Sequence, residues 1–140
     1  MNKQLIEDKI ALLHQSLNRI RLKTPSDVSK LLHNEDIQDI VIFNLQRAVQ
    51  REANIATQIL CSKSDIPSSL EDSFRKLEKH KIISLNITAT MITSVKIRSV
   101  AVHDFTNLDW RHIHSFCRNN LEDFYHLGDS ISNWNHHTTR

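Results

Sequence analysis

An arginine and a histidine stand five positions apart in the run Arg98-Ser99-Val100-Ala101-Val102-His103-Asp104-Phe105. Arginine is a permanent cation whose planar fork of donors suits phosphate oxygens. Histidine is the side chain that gives or takes a proton near neutral pH. The two together supply what metal-free cleavage of an RNA phosphodiester needs: a cation for the phosphate and a group that moves protons. The nine histidines invite a metal reading, but their spacing does not support one. His112 and His114 would point about 160° apart on a helix and cannot grip one ion. Neither His-Glu-x-x-His nor Cys-x-x-Cys occurs, so no metal and no cofactor is expected.

The element that positions the pair is a helix. Arg98 follows Met91 by seven and Val95 by three, which puts it on an otherwise apolar face. A cation there is costly unless it is paired or opens onto a cleft. His103 lies about 140° further round, at about 100° per residue. On a regular helix the two side chains do not converge. Either the helix ends or distorts between them, or each reaches a shared groove from its own angle. A groove between two subunits related by a two-fold axis allows the latter. Spacing alone favours a plainer reading, in which Arg98 pairs with an acid such as Asp104 and His103 is a helix C-cap.

The rest of the chain reads as helices. Ile6, Ile10, Leu13, Leu17 and Ile20 form one apolar stripe, which Thr24-Pro25-Ser26 ends. A short helical turn follows around Val28 to Leu32. Asn34 caps a long helix over about 35–61, with Ile37, Val41, Leu45, Ala48, Ile55 and Ile59 inward. Ser68 and Glu71 suggest a capping box for a shorter helix carrying Phe74 and Leu77. The next helix starts near Ser84. It has no charge from Ile82 to Val95, so it is expected to be central and buried on several sides. A last helix from about Leu108 turns Ile113, Cys117, Leu121 and Phe124 inward. Beyond Gly128, over 129–140, a flexible tail is expected. The fold class is all-α: an antiparallel bundle of four main helices and one short helix, in a single domain over 1–140.

Composition agrees. One glycine and two prolines are too few for a sandwich or barrel, and they exclude a Gly-rich phosphate loop. With 18 basic and 16 acidic residues, the net charge of +2 announces no bulk nucleic-acid field, so any RNA-binding surface is local. Lys79-His80-Lys81, Arg111 and Arg118 could touch phosphates, but each is more commonly a solvated helix end or face. Trp110 is expected to pack on the bundle, and Tyr125 at a helix edge. Cys61 and Cys117 read as reduced, buried thiols of a cytoplasmic protein. No signal-peptide run and no membrane span is present, so no membrane partner is expected.

Three blocks, in order, resemble the HepT-like HEPN ribonucleases. Phe43-Asn44-Leu45-Gln46-Arg47-Ala48-Val49-Gln50 is similar to the family's second-helix signature. Ile66-Pro67-Ser68-Ser69, followed by Phe74 and Leu77, is similar to its connection into the third helix. Arg98 to Phe105, then Leu108 and Leu121-Glu122-Asp123-Phe124, resembles its Arg-x4-His segment and final helix. The resemblance implies a homodimeric HEPN bundle acting on RNA, toxic unless restrained by a nucleotidyltransferase antitoxin. It makes Arg98 and His103 the catalytic pair of a metal-independent endoribonuclease, in which the ribose 2′-hydroxyl attacks the adjacent phosphorus.

The chain departs from that pattern at four places. Phe105 stands where the family usually has the tyrosine that the antitoxin enzyme modifies with AMP. Ser99 replaces a frequent asparagine, Lys96 a frequent glycine, and Asn54 a frequent acid of the second helix. Ser99, Asp104, Phe105 and Asn54 are therefore the expected supporting residues. The departures keep two alternatives open: a non-catalytic or weakened HEPN subunit that only binds a nucleotidyltransferase, and a helical adaptor with no nucleotide chemistry.

Overall fold

The computed structural model describes residues 2–138. Seven α-helices and one 3-10 turn make up the described residues, with no strand among them. They are α1 (Lys3–Lys23), α2 (Val28–Leu32), α3 (Glu35–Ser62), α4 (Leu70–Lys79), α5 (Leu85–His103), the turn Phe105–Asn107, α6 (Trp110–Asn119) and α7 (Leu121–His137).

Most helix starts are set by a short polar side chain that satisfies free backbone N–H groups. Asn2 accepts from Gln4 N at 2.8 Å, Asn34 from Ile37 N at 3.1 Å, and Ser84 from Ile87 N at 3.3 Å. The cap of α4 is Ser69 rather than Ser68, one residue later than the sequence pattern suggested. Ser69 Oγ accepts from Asp72 N, and Asp72 in turn accepts from Ser68 N at 2.8 Å. Asp72, a shorter acid than Glu71, closes the box in register with Ser69.

The bundle is assembled around α3. One side of α1 lies along α3 and another along α7, while α5 packs on α3, α4 and α7. The α1 stripe of Ile6, Ile10, Leu13, Leu17 and Ile20 is buried as expected, and it meets Leu45, Ile59, Phe124 and Leu127 in one continuous core. Each such side chain contributes about 1.5–3 kcal/mol on leaving water, which holds together helices that would be marginal alone.

Three further expectations are corrected. The last helix is two helices, because Asn119-Asn120 interrupts it and Asn120 serves as both the end of α6 and the start of α7. The chain beyond Gly128 is not a loose tail over 129–137. It stays helical because Ile131 and Asn135 are buried, with Asn135 Nδ2 donating to the Lys3 carbonyl at 3.0 Å. Residues 139 and 140 lie outside the described residues. As expected, α5 is covered on several sides, by α3, α4 and α7, although Leu85 at its start is 70% exposed. Cys61 is exposed, and only Cys117 is buried. Burial pushes the Cys117 thiol up to about 12, so it is inert packing.

Candidate active site

The site forms over the last two turns of α5. The helix runs unbroken through His103 and stops at Asp104, which leaves helical geometry while its N–H still reaches the Val100 carbonyl at 2.8 Å. Asp104 Oδ2 accepts from Asn107 Nδ2 at 2.6 Å, fixing the turn that follows. Arg98 and His103 are thus held on one regular helix, and no distortion brings them together.

They share a cleft all the same. An open hollow of about 750 Å³ lies between α5 and the start of α4, lined by Arg98, Ser99, Val102 and His103 on one side and by Leu70 and Glu71 on the other. At about 100° per residue, Ser99 and Val102 fall between Arg98 and His103 around the helix. The cation and the imidazole therefore stand on the two flanks of a stripe that forms the cleft floor. A mismatch of about 140° suits a broad groove straddled from both sides.

Arg98 does not pair with Asp104. Its Nη2 donates to Gln50 Oε1 on α3 at 3.1 Å. A neutral amide holds the guanidinium in place and leaves its charge unneutralised. Phe105 lies just past the helix end, 44% exposed and edge-on to Trp110 with ring centroids 6.2 Å apart. Trp110 packs on the core as expected. Asn54 is not in this cleft. It lies on α3, accepts from Lys9 Nζ at 2.6 Å and lines a neighbouring hollow. Of the expected residues, the cleft gathers Arg98, Ser99 and His103, with Asp104 and Phe105 at its end and Asn54 beside it.

One residue behind the cleft escaped the sequence reading. Glu52 of α3 is fully buried beneath α5, with Oε1 2.7 Å from Ser94 Oγ and Oε2 without a hydrogen-bond partner. Burial pushes its carboxyl well above the usual range, and the Ser94 contact pulls only weakly the other way. The signal was present in the sequence. The inward positions of α3 run 41, 45, 48, 55 and 59, and the missing member of that series is 52.

Elsewhere the histidines serve local roles. His114 Nε2 bonds to the Pro25 carbonyl at 2.7 Å, and His80 Nε2 to Asp65 Oδ2 at 2.8 Å. Tyr125 packs at the edge of α7, its hydroxyl donating to Asn18 Oδ1 at 2.7 Å. No helix among the described residues is long and apolar enough to cross a membrane.

The all-helical bundle has the fold of solved HEPN toxins. Residues 13–131 match the model of the family described as ribonuclease HepT-like. The chain belongs to that family. It is 31% identical over 128 residues to the mRNA nuclease HepT of Shewanella oneidensis, covering 91% of this chain and 96% of that one. It is also similar to the solved structure of a tri-AMPylated Shewanella oneidensis HEPN toxin in complex with its MNT antitoxin. There the TM-score is 0.86 at 31% identity, covering 95% of this chain and 99% of that one. A toxin–antitoxin structure with AMP-PNP matches with a TM-score of 0.84 at 32% identity, covering 94% and 99%.

Proposed function

We propose that this chain is an endoribonuclease toxin that cuts RNA without a metal, using Arg98 and His103, and that a nucleotidyltransferase antitoxin restrains it. The observation that carries the reading is the cleft straddled by those two side chains, with Arg98 held by a neutral amide. RNA brings its own nucleophile. The ribose 2′-oxygen attacks the adjacent phosphorus and the bond to the 5′-oxygen breaks, leaving a 2′,3′-cyclic phosphate and a 5′-hydroxyl. His103 moves the proton, taking it from the 2′-hydroxyl or giving it to the departing 5′-oxygen. Arg98 bonds the non-bridging oxygens as charge builds on them.

The working form is a two-fold homodimer. Val102 of α5 is left 56% exposed on the cleft, and a second copy would cover it and wall the groove. The solved relatives in complex with an antitoxin support a nucleotidyltransferase partner for this chain as well. Phe105 has no hydroxyl to accept AMP, so restraint at this position works by covering the cleft.

The test is cleavage of total RNA with EDTA present. Wild-type protein cuts, while Arg98→Ala and His103→Ala lose about 10²–10⁴ in rate and keep their helical spectrum. Cutting by both variants at the wild-type rate would remove the assignment, and a strict need for added metal would remove the mechanism. Light scattering over a dilution series checks the dimer.

A further inference from the structure

A second hollow, of about 450 Å³, opens beside the first and is lined by Lys9, Gln50, Asn54, Thr57 and Gln58. Leu70 lines both hollows. Gln50 also belongs to both, since it lines the second and holds Arg98 of the first. The two are one continuous surface with Leu70 as the low ridge between them.

The cations on that surface are spaced by α3. Gln50 accepts from Arg98 and Asn54 accepts from Lys9. Positions 50 and 54 are one turn apart on the same face of the helix, a rise of about 6 Å. One helix thus anchors two cations through acceptors one turn apart, each held by a neutral amide that orients the charge without cancelling it. Partly buried Lys9 has lost some of its water, which strengthens its pull on an anion. Gln58 adds an amide oxygen that is buried without a hydrogen-bond partner. Such an acceptor is completed by an N–H or O–H donor of a ligand.

We propose that Lys9 is a phosphate-binding residue of a second nucleotide subsite. While Arg98 holds the phosphate that is cut, Lys9 holds the next phosphate of the same single strand. The nucleotide between them lies over Leu70, with Gln58 Oε1 accepting from its base or ribose. The subsite rests on the ribonuclease reading above. It makes the minimal good substrate a segment with a charged linkage beside the cleaved one.

Binding is measured with His103→Ala protein and a fluorescent single-stranded RNA across a salt series, and cleavage with otherwise wild-type protein. Lys9→Met should weaken binding several-fold and flatten the plot of log affinity against log salt by about 0.7, the share of one phosphate contact on a single strand. Lys9→Arg should retain both. Asn54→Asp, which sets a carboxylate against the ammonium, should resemble Lys9→Met. In cleavage, Lys9→Met should raise KM with kcat nearly kept. Its defect should vanish on a substrate whose neighbouring linkage is an uncharged methylphosphonate. If RNA is bound and cut but Lys9→Met leaves affinity, salt slope and KM unchanged, the subsite is overturned and the Arg98–His103 site stands. If no RNA is bound or cut by any form, both readings fall together.

Discussion

Ser94 Oγ lies 2.7 Å from Glu52 Oε1 and 2.6 Å from the Met91 carbonyl oxygen, and a hydroxyl has one proton to give. If Glu52 were ionised, Ser94 would face two acceptors with one donor. A protonated Glu52 removes the conflict. Its O–H donates to Ser94 Oγ, and Ser94 donates to Met91. The geometry and the upward shift that burial imposes agree that α3 presents a neutral acid to α5.

That acid gives stability a defined pH dependence. The unfolded carboxyl titrates near its ordinary value of 4.5, and the folded one well above it. Below the unfolded value both states keep the proton, and this group contributes no slope. Between the two values the unfolded chain has released a proton that the folded chain retains, so stability falls as pH rises. Glu52→Gln keeps the donor to Ser94 and cannot ionise. Its melting temperature should match the wild type near pH 4 and exceed it at pH 7, by about 3–5 °C for each kcal/mol relieved. Melts from pH 4 to 8 decide, and two curves that stay parallel throughout would place the Glu52 proton elsewhere.

Gly128 of α7 packs directly against α1. A Cβ added there would lie 3.0 Å from His14 Nε2 and 3.2 Å from Ile10 Cγ2. Alanine gains about 1 kcal/mol of helix propensity over glycine. Overpacking costs about 1–3 kcal/mol, and the His14 ring is fixed against Tyr125 with centroids 5.2 Å apart. Gly128→Ala should therefore be less stable by about 1 kcal/mol despite its better propensity. Urea unfolding measures it, and a raised midpoint would mean that His14 can swing clear.

Control by AMP should fail at position 105 and be restorable. Phe105 is exposed and packs edge-on to Trp110. Phe105→Tyr adds one hydroxyl to a ring already half in water, so stability should change by less than about 0.5 kcal/mol. Incubated with the partner nucleotidyltransferase and ATP, the natural chain should show no AMP on residue 105 by peptide mass mapping, and the variant should. A variant that stays unmodified while the same enzyme modifies another member of the family would show that residue 105 does not occupy the acceptor position.

The all-helical fold was legible because its signal is repetitive. The α1 stripe and the caps at Asn34 and Ser84 each repeat a local rule, and the structure follows them. The break at Asn120 was hidden because the apolar series Ile113, Cys117, Leu121 and Phe124 continues across it without losing phase. The end of α7 was misread for the opposite reason. Asn135 is buried by a hydrogen bond to Lys3, a contact across 132 positions that no local pattern encodes. At the site, spacing alone paired Arg98 with Asp104, whereas the structure pairs it with Gln50. Gln50 is distant in sequence and carries no charge to draw attention. Lys9 was invisible on the same grounds, since its partner Asn54 comes from another helix.

The seam between α1 and α7 joins residues 125 to 132 positions apart in sequence. Glu7 receives Ser132 Oγ at 2.8 Å and lies 3.2 Å from His136 Nε2, and the Lys3 carbonyl receives Asn135. Synthesis delivers α1 and α3 first, and they can pair while the remainder is still on the ribosome. The other flank of α1 then waits, with Ile6 and Ile10 wet, until the seventeen-residue α7 emerges. Emergence of α7 is thus the event that covers that flank. A chain cut short before Ser132 loses the contacts of Ser132 and Asn135 and leaves that flank of α1 open to water.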